Sequence, residues 1–575
     1  MRRLAAVCAA FVLAVGELTA QGISWTAEDQ GRQICGVQVE PYFGSVLGWG
    51  LGFVRIDLVG LDNRAHRVTV ELASPDWMTH NVAARRSFAL GPGERARAFL
   101  PLPVTAAPNF LVDLRVDGLQ MRQMISDSAA GGLRGLLLAE RSDRVPPAMA
   151  AATRLAGGSG VAPEIQSCAP GDAPSDWRLY TGFDFVAVDG RGRIDGDRQE
   201  ALRRFVHAGG RVLLAAPDAL PPGALRQLGE RAAAGDAGIA HGLGSLVALD
   251  AEFGGRASAA RMSWLLDRSH ELPIALGAEQ SMRIPGLGAA PVRVFLVVIL
   301  AFAVVAGPLN FWWLRRRKQP LWALVTVPAL GFGTAALMLG FVVLRDGFDL
   351  RGVERSWSLL DQPRHEAAAI ACRTLFSGAS AADYAPGADE MVLAPSAQRR
   401  GDQRSPHRWE FDGDTGTIDG AIVPSREITP LLAVTQGTRR ERARVRSLDG
   451  GKALELLAEG FAPVGEVLLR DREGRFWLGA ANRLEPTSDA QARTFARRFA
   501  LAGATTEFGE PPDSEEGRLP FVDTLARGGE LPFGSYLTLI AGAPWLPTAL
   551  VPTDADAAAA KHCLLGLLAE EDYLQ

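Results

Sequence analysis

The sequence predicts a multidomain α/β-plus-β chain. It comprises a β-sandwich, a parallel α/β domain, a two-helix transmembrane hairpin and a C-terminal β-rich domain. Three observations predict it. Two apolar runs lie mid-chain, at 294–314 and 321–344. Short alternating segments broken by Gly and Pro fill residues 22–125. Apolar runs then alternate with amphipathic helical patterns up to about residue 250.

The chain opens Met1-Arg2-Arg3, followed by the apolar stretch Leu4 to Val15 and then Glu17-Leu18-Thr19-Ala20. A short basic start, a brief apolar core and a small residue at the exit describe a secretory signal peptide over 1–20, with the cut expected after Ala20 and an uncleaved signal anchor as the alternative. The core is too short to span a bilayer. Export places the following domain outside the cytoplasm, where a disulfide is permitted. The four cysteines beyond the signal, Cys35, Cys168, Cys372 and Cys563, form no CxxC and fix no pairing.

Residues 21–127 read as the β-sandwich. Phe53 to Val59 and Arg67 to Leu72 alternate apolar with polar, and Leu61-Asp62-Asn63-Arg64 supplies turn residues between them. Arg86 to Leu90 meets Gly91-Pro92-Gly93-Glu94, and Ala96 to Leu102 follows. Short strands at regular spacing with Gly/Pro turns are the pattern of a sandwich.

Residues 128–256 read as the α/β domain. Leu133 to Ala139, Phe183 to Val188, Arg211 to Ala216 and Ser245 to Leu249 are near-continuous apolar runs. A helix is expected from Pro146-Pro147, since proline suits the first turn. Another is expected from Asp197 to His207, with Ala201, Leu202, Phe205 and Val206 on one face and Gly209-Gly210 ending it. A third lies near 222–234. Strands apolar on both faces between helices imply a parallel sheet covered on both sides, in a flavodoxin-like arrangement.

A juxtamembrane linker over 257–290 leads into the hairpin at 291–345. Each apolar run has the ~20 residues needed to cross ~30 Å of hydrocarbon, and neither carries an ionised side chain within it. Arg315-Arg316-Arg317-Lys318 forms the connecting loop, flanked by Trp312, Trp313 and Trp322. Clustered cations mark the cytoplasmic side, and indoles favour the interface. The expected topology is therefore an inner-membrane protein with both large domains on the extracytoplasmic side. Gly307-Pro308 and Pro328 are expected to kink the spans, and Asn310 to make an interfacial hydrogen bond.

Residues 346–575 return to β character. Arg408 to Phe411, Gly465 to Arg470 and Arg475 to Leu478 are strand candidates, and Asp471-Arg472-Glu473-Gly474 turns the last two into a hairpin. A helix is expected over about 489–502, capped by Ser488 with Gln491 as its reciprocal partner. The Arg/Gln/Ser-rich stretch 396–407 reads as an exposed loop.

Net charge is −5 without a basic patch, which argues against a nucleic-acid partner. Candidate ligand-binding residues follow from the α/β pattern, because ligands sit at the carboxyl ends of parallel strands. Those ends carry Glu140, Asp189 with Gly190, and Asp218. Asp189-Gly190-Arg191-Gly192-Arg193 superficially matches a dinucleotide fingerprint, but its third glycine is misplaced. His365-Glu366 opens like a zinc-protease motif without the second histidine, and Asp412-Gly413-Asp414 reads as a turn, not a calcium loop. There is no GxSxG elbow and no phosphate-binding loop. No cofactor, metal or catalytic residue is expected.

Trp177 to Pro217, including YTGFDFVAVDG and QEALRRFVHAGGRVLLAAP, resembles the class I glutamine-amidotransferase-like fold. Active members of that superfamily hold a Cys nucleophile on a sharp turn after the strand matching 211–216. Here Leu214-Ala215-Ala216-Pro217 stands in its place, and no His-x-Glu pair follows His241. The resemblance thus implies the fold and argues against the reaction. With "GPLNFWWLRRRK" in the hairpin and "LPFGSYLTLIAGAPW" and "KHCLLGLL" near the end, the layout is similar to a group of uncharacterised bacterial membrane proteins. More loosely, it resembles auxiliary membrane subunits of ABC-type transporters and gliding machinery.

The function expected is that of a non-catalytic, membrane-anchored cell-envelope protein, a binding or accessory subunit whose partners are the bilayer and other envelope proteins. The alternatives are a hydrolase-like enzyme using carboxylates at the sheet edge, and an auxiliary ABC-transporter subunit.

Overall fold

A computed structural model describes residues 22–44, 50–73, 83–103, 109–126, 134–140, 164–234, 239–249, 292–346, 350–377, 389–393, 408–412, 415–419, 428–502, 531–541 and 561–574. The expected signal peptide, the helix from Pro146-Pro147, the linker 257–290 and the loop 396–407 lie outside the described residues.

The N-terminal strands are β1 (Ile23–Asp29), β2 (Arg32–Tyr42), β3 (Leu51–Gly60), β4 (His66–Ala73), β5 (Ala83–Leu90), β6 (Arg95–Pro103), β7 (Asn109–Val116) and β8 (Leu119–Ser126). They form two sheets, β1-β2-β3-β6 and β5-β4-β7-β8, with antiparallel pairing throughout. The Leu61–Arg64 and Gly91–Glu94 turns each carry the chain from one sheet to the other. Alternation places Val54, Ile56 and Leu58 of β3 in the sandwich core with Val68, Val70 and Val112. The opposite face of β3 presents Phe53, Arg55 and Asp57. That face is not left to water; it is the docking face for the next domain.

The α/β domain contains β9 (Arg134–Leu138), β10 (Glu164–Cys168), β11 (Phe185–Asp189), α1 (Gly196–His207), β12 (Arg211–Ala215), α2 (Ala224–Ala233), β13 (Ile239–His241) and β14 (Gly244–Leu249). The order is β10-β9-β11-β12-β14-β13, parallel except for the last strand. Asp195 caps α1, its side chain accepting from the Arg198 N–H, and Gly209 leaves the helix in the left-handed region. Leu136, Val186, Val188 and Leu214 face one core, while Leu137, Phe185, Ala187 and Leu213 face another. Burial on both faces is why these strands read as unbroken apolar runs.

Two long apolar helical segments follow. The first comprises α3 (Val292–Val304), a π turn at Val305–Leu309 and α4 (Asn310–Arg316); the second is α5 (Ala323–Asp346). The π turn contains Pro308, whose missing N–H cannot complete the ordinary ladder. Phe295–Arg316 and Pro320–Met338 are long and apolar enough to cross a membrane. Their side chains face outward: Leu321 and Phe332 are each 79% exposed.

The remaining elements are β15 (Leu350–Asp361), β16 (Glu366–Ser377), β17 (Glu390–Leu393), β18 (Arg408–Asp412), β19 (Thr415–Asp419), β20 (Ile428–Thr438), β21 (Arg442–Leu448), β22 (Ala453–Glu459), β23 (Pro463–Arg470), β24 (Phe476–Ala480), β25 (Arg483–Thr487), α6 (Asp489–Ala502), β26 (Ser535–Ile540), β27 (Lys561–Leu567) and β28 (Tyr573–Leu574). Twelve of these strands make one mixed sheet in the order β17-β20-β16-β15-β27-β26-β23-β24-β25-β22-β21-β28. The β23–β24 hairpin pairs Leu468 with Leu478 across the expected Asp471–Gly474 turn. Ser488 and Gln491 exchange the expected reciprocal bonds at the start of α6.

The C-terminal region is not self-contained. The β18–β19 hairpin leaves it and extends the second sandwich sheet, with β18 parallel to β5. Residue 346 divides the sequence without dividing the fold.

Candidate functional site

The carboxyl edge of the parallel sheet is the first place to look for a ligand. The strand order reverses between β9 and β11, and Glu140 and Asp189 follow those two strands. This is the topological switch point of an open α/β sheet. The loop after β11 closes over it. The Arg191 guanidinium donates to both oxygens of Asp189, at 2.9 Å each, and the Arg191 N–H donates to one of them at 3.1 Å. The Arg193 N–H reaches exposed Glu140 at 3.4 Å. Asp189 is therefore neutralised from within its own loop.

Gly190 is there for packing. Its N–H donates to the Ala215 carbonyl at 2.9 Å, and a Cβ at this position would overlap the Ala216 carbonyl. Asp218 lies one strand further along, exposed in the short 3₁₀ turn Pro217–Ala219. The loops of Glu140 and Asp189 are thus brought together, while no hydrogen bond or ion pair joins Asp218 to either among the described residues.

Between β12 and that turn, Ala216 adopts φ 49° and ψ 57°. A left-handed conformation costs a residue with a Cβ roughly 1–2 kcal/mol. The turn is sharp and strained, and its side chain is a methyl group. Cys35, Cys168 and Cys563 are free and buried. Burial pushes the Cys35 thiol up to about 11 and that of Cys168 to about 12. Both shifts disfavour the thiolate.

The most elaborate polar geometry lies between domains. Arg55 pairs with Glu40 and lies 3.0 Å from Asp57 and 3.1 Å from Asp172 of the α/β domain. Arg97 ties Asp57 to Asp172 as well. Beside them Tyr42 stacks on Phe53 at 4.6 Å, and Phe53 meets Phe183 edge-on at 6.2 Å. Thr181 Oγ1 accepts the Leu51 N–H at 2.9 Å, donates to the Arg178 carbonyl at 2.6 Å and lies 3.2 Å from Met391 Sδ. One hydroxyl therefore touches the sandwich, the α/β domain and the large sheet.

On the far side of α1, Arg203 donates to Glu366 Oε1 at 2.6 Å and Arg204 to Asp389 at 3.1 Å. His207 and His241 are buried there, ring against ring. His241 ends β13, the edge strand of the parallel sheet, and is buried. His365, from the incomplete zinc-protease motif, is an exposed turn residue at φ 55°.

A second buried polar group sits on the large sheet. Arg373 pairs with Glu354 and lies 3.4 Å from Glu390. Ser356 Oγ is 2.9 Å from His562 Nδ1, and Glu354 Oε1 is 3.7 Å from the same nitrogen. In a catalytic triad, nucleophile and acid occupy opposite ring nitrogens; here both approach one. Sequence reading missed this cluster. Its signal was the alternation Glu354, Ser356, Ser358, which mimics a solvent-facing row. Among the described residues no group of three or more His, Cys, Asp or Glu side chains is placed to hold a metal ion.

No protein-family model matches the sequence, and no curated protein does. Among solved structures, the chain aligns with a Paenibacillus sp. cycloisomaltooligosaccharide glucanotransferase crystallised with cycloisomaltoheptaose, at 13% identity and a TM-score of 0.14. The match covers 31% of this chain and 27% of that enzyme, and a likeness so partial carries no argument about fold or function.

Proposed function

We propose that this chain is a non-catalytic, membrane-anchored subunit of the cell envelope, whose exported body binds or assembles with other envelope proteins. The observation that carries the reading is the pair of exposed apolar helices in the same chain as an interlocked, ion-paired body. Exposed apolar surface on this scale needs a lipid or protein environment. In this reading the basic turn faces the cytoplasm and both large domains face outward. The flavodoxin-like strand order and the strained turn at Ala216 support a degenerate amidotransferase-like domain that keeps the backbone and has lost the nucleophile. The carboxylate-hydrolase alternative draws no support from Asp189, which is already committed to Arg191.

Two experiments test this. Cysteines introduced at exposed Asp218 and Gln319 should label with a membrane-impermeant maleimide from opposite sides of the inner membrane. Labelling of both from the same side would overturn the topology. Purification in mild detergent should bring down specific envelope proteins. Replacing the hairpin with a foreign anchor should disrupt that assembly, while Asp189→Ala and Asp218→Ala should leave it intact. Loss of assembly in the aspartate variants alone would restore an active-site reading.

A further inference from the structure

The basic turn is more ordered than a run of four cations requires. Lys318 is left-handed at φ 56°. Its N–H donates to the Arg315 carbonyl at 3.1 Å, and the Gln319 N–H donates to that of Leu314 at 3.1 Å. These are the two bonds of a Schellman ending, so the last carbonyls of α4 are satisfied by the chain itself. The cations are left for something else. None of Arg315, Arg316, Arg317 or Lys318 pairs with a carboxylate among the described residues. Elsewhere in the protein, arginines such as Arg55, Arg203 and Arg373 are built into carboxylate networks.

Two of the guanidinium groups are also positioned. Arg316 lies over the Trp312 ring at 5.5 Å and Arg317 over Trp313 at 4.3 Å. Trp313 has a second role, as the end wall of a groove of about 710 Å³ between the two long helices. Val298, Ala301, Leu330, Gly333 and Leu337 line the rest. The polar atoms along it are already used: Asn310 donates to Thr326 at 2.8 Å, and Thr334 to the Leu330 carbonyl at 2.8 Å. The groove therefore offers apolar contact only. It runs from Trp313 to Val297, about 24 Å at the rise of a helix. One leaflet's hydrocarbon is roughly half of ~30 Å, so an acyl chain fits within it.

We propose that the turn and the groove form a binding site for one anionic phospholipid. Its phosphate lies against Arg316, Arg317 and Lys318, and one acyl chain runs along the groove past Trp313. The proposal rests on the membrane reading above. Charge and continuity argue for this occupant: the uncompensated cations and the apolar groove meet at a single residue. A second copy is disfavoured because both copies would hold their four cations at the same depth, where like charges repel.

The test uses the full chain in mild detergent and in vesicles. Flotation with pure phosphatidylcholine vesicles comes first, and failure to float would remove the membrane reading and this one together. Given flotation, lipid retained by the purified chain is counted by native mass spectrometry after exchange into equimolar phosphatidylcholine and phosphatidylglycerol. About one phosphatidylglycerol per chain is expected, at least tenfold over phosphatidylcholine. With each cation near an anionic surface contributing about fivefold, the triple variant R316Q/R317Q/K318Q should abolish that preference while still floating. Gly333→Leu, which fills the groove, should lower retention and leave flotation unchanged. Flotation without a headgroup preference would overturn the proposal alone. So would displacement of the lipid by millimolar inorganic phosphate, which would mark a simple anion site, or a groove filled by a second copy that cross-links through Gly333→Cys.

Discussion

The rings of His207 and His241 lie 5.3 Å apart at an interplanar angle of 50°, and none of their four nitrogens has a hydrogen-bond partner among the described residues. The groups around the pair are largely cationic. Arg203, Arg364 and Arg231 surround it, with Glu200 acting in the opposite sense on His241 and Glu366 Oε2 standing 3.7 Å from His207 Nε2. Burial comes first for both; the neighbouring His241 ring and then Arg203 and Arg364 hold His207 well below its ordinary value, and Arg364, Arg203 and Arg231 hold His241 down to about 3.

That arrangement gives an acid-side sensitivity with a definite sign. The folded values lie below the unfolded value of about 6.5, so the unfolded chain takes up protons first. The stability is present in full above pH ~6.5 and is lost as pH falls from there toward 3. For His241 the loss at pH 5 is about 2 kcal/mol. His562, also depressed by burial, adds in the same direction. His66, raised by its bonds to Asp117 and Asp62, acts oppositely and loses its contribution as pH rises. Thermal unfolding of the full chain in detergent should show His241→Phe flattening the decline in Tm between pH 7 and 5. Equal slopes in variant and parent would exclude the histidine pair as its source.

Thr181 predicts a different kind of loss. Thr181→Val keeps the shape but leaves the buried Leu51 N–H without its acceptor, at a cost of about 1–3 kcal/mol. Thr181→Ser restores the hydroxyl and should recover most of it. Because the hydroxyl sits where three domains meet, protease cleavage between the sandwich and the α/β domain should accelerate in the valine variant. A valine variant as protease-resistant and as stable as the serine variant would show that this contact contributes nothing to docking.

Gly50 probes the same junction by steric means. A Cβ there would overlap both the Thr181 side chain and its backbone, and one on Gly182 would approach the Gly52 nitrogen at 2.6 Å. The backbones of the two domains touch because neither side carries a side chain. Gly50→Ala should lower Tm more than Gly93→Ala, although Gly93 has φ 66° and strains its substitute, because Gly93 has open space around it. A reversed order would mean that backbone strain outweighs the docking clash.

At the sheet edge, Ala216→Gly should stabilise, since glycine removes most of the ~1–2 kcal/mol left-handed cost and returns part of it as unfolded-state entropy. A net gain of up to about 1 kcal/mol in denaturant unfolding is expected. Gly190→Ala should do the reverse by driving a methyl group into the Ala216 carbonyl. A destabilised Ala216→Gly would show that the turn is not strained.

How far these features could be read in advance follows from where each side chain's environment is decided. The strands FVAVD and RVLLA were legible because burial on both faces makes an unbroken apolar run. The long apolar helices were legible because nothing else has their composition. By contrast, β15 and β16 pair over twelve residues each and went unread. Glu354, Ser356 and Arg373 point inward there, and EAAAIAC has helical composition. The Asp117-Gly118 turn, which closes β7 on β8 with both residues at positive φ, was a local signal overlooked. The pairing of β18 with β5 and the meeting of His207 with His241 had no local signal, because each is set by tertiary packing. Of the candidate ligand residues, the sequence placed Glu140, Asp189 and Asp218 at strand carboxyl ends but could not show that Arg191 pairs with Asp189.

Asn310 and Thr326 supply the last prediction, within the apolar pair of helices. Asn310 is 9% exposed, and its amide exchanges hydrogen bonds with the Thr326 hydroxyl at 2.8 and 3.2 Å. The bond joins the two helices near the basic turn, at the residue that follows the π turn. In hydrocarbon such a bond has no water to compete with, yet measured couplings average only about 0.6 kcal/mol, because side chains in an unfolded membrane state also find partners. Asn310→Leu and Thr326→Val should each destabilise the detergent-solubilised chain modestly, and the double variant should cost less than the sum of the two. Additive losses would mean that the two groups do not interact, and the helix pair would then be held by apolar packing and the short turn alone.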